Sequence, residues 1–240
     1  MGSNIDNNPH TGAMRYDEKV TKIPAVAIST QAAELLSKSL KDFPDSKLFI
    51  KTNCETRPDT LSHNVVAEFK GASNDIIAVG GHLDSWDLAE GAHDDGAGIV
   101  QSMEALRILH SLGYKPKHTL RTVFFMNEEN GLKGGLKYAE LAEKNGEKHL
   151  AAIETDAGGF SPRGYSMGAT KEQLQKVIGW KPLLEPYGLH QFTDGGGGAD
   201  TSPLEKVHVP CFELVVDSQR YFDVHHTPID TFEQVNKREL

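Results

Sequence analysis

Five short motifs carry residue types that can hold a divalent cation: His82 and Asp84 in HLDSW, Asp94 and Asp95 in GAHDDGAG, Glu128 and Glu129 in NEENG, Asp156 in ETDAGG, and His225 and His226 in HHTPIDT. Imidazole nitrogen and carboxylate oxygen are good zinc ligands, and a catalytic zinc keeps one position open for water. His82, Asp94, Glu129, Asp156 and His226 supply two imidazoles and three carboxylates. With Asp94 as a bridge, each of two ions receives one His, one terminal carboxylate and the shared one. Two ions roughly 3.5–4 Å apart polarise a carbonyl and acidify a water between them. Glu128, next to a ligand but not needed as one, is placed to take the water proton and pass it to a leaving amine. Asp84, two residues after His82, is placed to fix the imidazole tautomer.

Each of these residues also has a plainer reading. Asp94 and Asp95 can cap a helix, Glu128 and Glu129 can be a solvated pair, Asp156 a turn former, and His225–His226 a surface loop. Their shared position argues against all of these holding together, because each loop leaves an apolar, β-prone run. Residues 76–79, 119–126, 150–154 and 207–216 are such runs, and ligands in open α/β sheets gather at the carboxyl ends of strands.

The positioning elements follow from periodicity. Val100, Met103, Leu106 and Leu109, three apart, predict a helix over 99–112, with others over about 135–144 and 171–178. A helix over 31–40 follows Ser29-Thr30, a plausible N-cap pair. Alternation over 47–52 and 64–70 predicts two neighbouring strands. The glycine loop 195–198 reads as a mobile substrate loop, with Asp200 a candidate for a substrate amine and Arg220 or Tyr221 for a carboxylate. Residues 1–22 are polar and rich in turn formers, so they read as a weakly ordered arm or the remnant of another domain. Residues 23–240 read as one catalytic unit. Repeated strand and helix argue for an α/β fold with a largely parallel sheet covered on both faces.

Composition narrows the partners. A net charge of -9 argues against a nucleic-acid partner, for which a basic patch is the expected footprint. No apolar stretch is long enough to span a membrane, and residues 1–20 lack a signal-peptide pattern. Cys54 and Cys211 lie far apart, and Cys211 sits in an apolar run as a buried free thiol would.

In order and type, HLDSW…GAHDDGAG, NEENG, ETDAGG and HHTPIDT resemble the metal-binding motifs of the M28 family of zinc peptidases, and within it the carboxypeptidase Q branch. The resemblance implies an αβα sandwich around a mixed, mostly parallel sheet of eight strands. It implies two Zn2+ per chain, with His82, Asp94 and Asp156 on one ion and Asp94, Glu129 and His226 on the other. Glu128 is then the base and Asp84 the orienting carboxylate, and the Asp94–Asp95 peptide is expected to be cis. Relatives carry Tyr where His225 stands, so a role for His225 as oxyanion donor rests on position alone. The implied activity is exopeptidase hydrolysis of short peptides or dipeptides, in a secreted or periplasmic setting. Family chains also have an N-terminal segment, an inserted domain and a last helix without counterparts here. The chain therefore reads as the metal-bearing portion of a longer enzyme, with exposed sheet surface that could drive homodimer formation. Two other classes share the fold: a one-zinc glutaminyl cyclase, and a non-catalytic binding module such as the transferrin-receptor ectodomain. The intact Glu128–Glu129 pair and the five-ligand set favour two metals and hydrolysis.

Overall fold

Runs rich in Val, Ile and Phe that are too short for helices become strands, and the Gly-bearing acidic segments after them become loops. The computed structural model describes residues 7–240; the first six residues of the expected arm lie outside it. Helix α1 is Thr30–Asp42, capped as expected by the Ser29 hydroxyl, which accepts from the Ala32 amide at 3.1 Å. It buries none of its own residues. There follow β1 Val65–Phe69, β2 Ser73–His82, α2 Ala97–Ser111, β3 His118–Phe125, α3 Lys133–Lys144 and β4 His149–Glu154. Then come β5 Pro162–Gly168, α4 Lys171–Ile178, the single turn α5 Lys181–Leu184, β6 Gln191–Asp194, α6 Ser202–Glu205, β7 Cys211–Val216 and α7 Tyr221–Val224.

The strands form one mixed seven-stranded sheet in the order β1-β3-β2-β4-β7-β5-β6. Its centre, β3-β2-β4-β7, is parallel; β1 runs antiparallel to β3, and β5 antiparallel to β7. Side chains alternate across a sheet, so Ala152 of β4 faces one layer while Ala151 and Ile153 face the other. The first layer joins Ile76, Val123, Phe125 and Ala152 to Tyr138 of α3 and Leu204 of α6. The second joins Met167 and Phe212 to Val177 and Leu174 of α4. Helices on both faces make this an αβα sandwich. Because β3 and β4 flank β2 on opposite sides, the chain reverses direction across the sheet there, and a crevice opens at the carboxyl ends of those strands.

Some expectations are corrected. Residues 47–52 form no strand: Leu48 and Phe49 are exposed, β1 ends the sheet, and no described strand lies beside 47–52 to take its main-chain groups. Seven strands are described rather than eight, and β5 and β6 arise from stretches for which the sequence predicts no strand. In α2 the face against the sheet is the small one, Ala97, Gly98 and Ser102, while Val100 and Met103 of the apolar stripe are exposed. Gly98 shows why: an added Cβ would lie 1.7 Å from the Thr155 carbonyl oxygen, so only a residue without a side chain lets the helix approach so closely. Cys211 is buried and free, and Cys54 is exposed and free.

Candidate metal centre

The four central strands deliver the motifs to one place. His82 is the last residue of β2, the Glu128–Glu129 loop leaves β3, Asp156 follows β4, and His225–His226 follow α7 beyond β7. Asp94 reaches them from the turn Ala92–Gly96 that opens α2, and the Asp94–Asp95 peptide is cis, as expected.

Asp94 divides its carboxylate between two groups. Its Oδ1 lies 3.2 Å from His82 Nε2, which is also 3.4 Å from Asp156 Oδ1. Its Oδ2 lies 3.2 Å from His226 Nε2, which is also 3.2 Å from Glu129 Oε2. The other ring nitrogens decide the tautomers. His82 Nδ1 meets the Asp84 carbonyl at 2.7 Å, and His226 Nδ1 meets the Thr11 carbonyl at 3.0 Å. A carbonyl only accepts, so each Nδ1 carries the hydrogen, and in the neutral ring each Nε2 presents a lone pair to carboxylates that are themselves acceptors. Lone pairs converging on lone pairs need a cation between them. Buried Asp94 Oδ2, Glu129 Oε1 and Asp156 Oδ1 have no hydrogen-bond partner, which fits the same need.

Without a metal, protons must serve as that cation. Burial opposes charge on His82, yet Asp156 and Asp94 hold its imidazolium well above the usual range. Burial likewise opposes charge on His226, and Asp94 and Glu129 raise it to about 10. Asp94 is held low against its burial by His226 and His82, whereas burial pushes Asp156 up to about 8. Glu128, beside the cluster, is raised by burial to about 7.

The supporting contacts refine the sequence reading. The Asp84 carboxylate does not hold the His82 ring, its Oδ1 standing 3.9 Å from Nδ1; the main-chain carbonyl does that. The carboxylate instead accepts from the amides of Glu128 at 3.0 Å and Glu129 at 3.3 Å, fixing the loop that carries the base and a ligand. His225 stacks on His226 with ring centroids 3.6 Å apart, and its Nε2 lies 3.6 Å from Asp94 Oδ2. His225, His226 and Asp94 thus also form a group able to hold an ion. Asp200 is buried with both carboxylate oxygens unpartnered, and Arg220 is taken up by Glu239 and the Phe160 ring.

Three further residues position the site. Asp95 accepts from the His82 amide at 3.0 Å and from Gly98 in the first turn of α2 at 2.9 Å, so it alone does the capping proposed for the pair. Asp230, inside the quoted HHTPIDT motif, accepts from the His93 and Asp94 amides at 2.8 and 3.1 Å, joining the last motif to the second. Glu154 accepts from the amides of Ala199, Asp200 and Thr201, tying the glycine loop to the end of β4. The arm also takes part: the Thr11 amide donates to the His226 carbonyl at 2.9 Å, and His10 Nδ1 to the His225 carbonyl at 2.6 Å.

A parallel-centred αβα sandwich with imidazole and carboxylate ligands at its strand ends is the architecture of the zinc exopeptidases. The chain belongs to peptidase family M28, whose family profile matches residues 64–240. It is similar to human carboxypeptidase Q, at 34% identity over 235 residues, covering 97% of this chain and 50% of that protein. It thus spans about half the length of the curated relatives it matches. Among solved structures it resembles a peptidase M28 precursor from Shewanella amazonensis SB2B, with TM-score 0.85 and 38% identity over 99% of this chain and 55% of that one. An aminopeptidase from Aneurinibacillus sp. strain AM-1 follows at TM-score 0.60 and 26% identity, over 89% of this chain and 54% of that one.

Proposed function

We propose that the chain is a zinc-dependent exopeptidase acting on short peptides or dipeptides, with two zinc ions held by His82, Asp94 and Asp156 and by Asp94, Glu129 and His226. One observation carries the reading: two imidazoles, each with its proton fixed on Nδ1, aim Nε2 at opposite oxygens of a single buried carboxylate. The names of the similar proteins, a carboxypeptidase and an aminopeptidase, support an exopeptidase of the same chemistry. When bound, zinc would polarise the scissile carbonyl and acidify a water.

The chain's own groups do the rest. Glu128 lines a cleft of about 540 Å³ together with Asp94, Glu129, Asp156 and His226, where burial raises its carboxyl in the metal-free protein, and it is placed to accept a proton and return it to the leaving amine. Asp84 keeps Glu128 in place through its amide. His225, on the rim of the same cleft, is the candidate donor to the developing oxyanion. On the family resemblance the protein works in a secreted or periplasmic setting; no described helix is long and apolar enough to cross a membrane. Exposed Val100 and Met103 on α2 support self-association as a homodimer.

The reading is tested by chelation. Hydrolysis of dipeptides should vanish in a strong chelator and return with added zinc. Hydrolysis that persists in the stripped protein would mean the cluster is not its catalyst.

A further inference from the structure

The cleft over the ligand cluster is strongly anionic, with Asp94, Glu128, Glu129 and Asp156 all lining it. Among the described lining residues one lysine or arginine faces them, Arg15 of the N-terminal arm. A surface arginine that merely neutralised its surroundings would pair with one of these carboxylates, yet Arg15 makes no hydrogen bond or ion pair with any described residue. The segments on either side of it are nonetheless held. Upstream, Thr11 exchanges two hydrogen bonds with His226 and His10 bonds the His225 carbonyl. Downstream, the Tyr16 hydroxyl donates to the Ile23 carbonyl, and the Val20 amide to the Asp17 carbonyl at 3.1 Å, folding the next residues into a turn. The cation is therefore carried to the rim of the cleft by a segment pinned to a candidate zinc ligand.

We propose that Arg15 binds the free terminal carboxylate of the bound peptide, which makes the arm part of the substrate site and selects short peptides whose C-terminus lies close to the scissile bond. This rests on the exopeptidase reading above. With Asp94, Glu129 and Asp156 held by zinc and Glu128 engaged with the water it deprotonates, the arginine fork is left for a carboxylate arriving with the substrate, which it can grip through two parallel N–H···O bonds. Arg220, the cation singled out in the sequence for that role, is already committed to Glu239 and Phe160.

The test compares leucyl-leucine with leucyl-leucinamide, which lacks the carboxylate, on the zinc-loaded protein and its Arg15→Gln and Arg15→Lys variants. The wild type should prefer the acid by roughly ten-fold or more in kcat/KM, in line with a charge-assisted bond, mostly through KM. Arg15→Gln should bring that preference close to one, and Arg15→Lys should restore part of it. Equal use of acid and amide by the wild type, or an undiminished preference in Arg15→Gln, would overturn the proposal. If neither peptide is cleaved, the exopeptidase reading fails instead. Calorimetric binding then decides on Arg15: tighter binding of the acid that is lost in Arg15→Gln supports the assignment, and indifference to the carboxylate overturns it.

Discussion

Asp94 faces two histidines through separate oxygens, and such a bridging geometry leaves Glu128 without a ligand's duty. Replacing Glu128 with Gln removes the proton acceptor while keeping the side chain's size. The variant should retain its zinc and lose roughly 10²- to 10⁴-fold in kcat, the usual worth of general base catalysis. Turnover and metal content measured on one preparation check this, and preserved turnover would place the base elsewhere. By its geometry His225 can face either an oxyanion or an ion. Burial lowers its imidazole to about 4, so it is neutral at neutral pH and can donate a single proton. As an oxyanion donor its loss in His225→Ala should lower kcat by about 10²-fold with zinc intact. Unchanged kcat would remove the role, and loss of an ion would make His225 a ligand.

At the scale of elements, the site depends on loops that hold one another. Asp230 receives the amides that present His93 and Asp94, so Asp230→Ala would leave two buried donors unpaired, at roughly 1–3 kcal/mol each. Zinc affinity should fall about 10- to 100-fold, as for other residues behind metal ligands. Titration against a competing chelator measures this, and unchanged affinity would show that the loop holds its shape without Asp230. The same loops explain what the sequence disclosed. Ligands were legible because each follows an apolar strand and has a residue type of narrow chemical use. The expected α2 registered correctly as a helix but not by face, because its contact with the sheet uses Ala97, Gly98 and Ser102, which carry little apolar signal. β5 was hidden by its composition, PRGYSMG, which reads as loop, whereas residues 47–52 had the alternation of a strand without a neighbour to pair with. Thr11 was not legible as a site residue, since its contact is with His226, more than two hundred residues away, and Arg15 lines the cleft only because the same arm folds back there.

At the scale of the whole molecule, the sheet buries a cluster of charge that only cations can stabilise. In the metal-free protein burial raises Glu128 to about 7 and Asp156 and Asp200 to about 8, and the Asp94 and Glu129 carboxylates raise His226 to about 10. All four values exceed those of the unfolded chain, so between about pH 6.5 and 9 the folded state binds more protons than the unfolded one. Stability from these groups is complete below their unfolded values and is lost as pH rises through the folded ones. Melting of the metal-free protein should therefore drop by several degrees, on the order of 5 °C, from pH 6.5 to 9. Zinc should flatten that dependence by replacing the protons. A metal-free protein that melts at the same temperature across this range would contradict the buried charge.

The two-ion centre is tested most directly by the metal content of the purified protein after equilibration with zinc and removal of the excess. Two ions per chain are expected, falling to one or none when Asp94, the shared ligand, is replaced by Ala. One ion in the unsubstituted protein would contradict the bridged pair and point to a cyclase-like, single-zinc site, and none would mean that these five side chains do not form a metal centre in this chain.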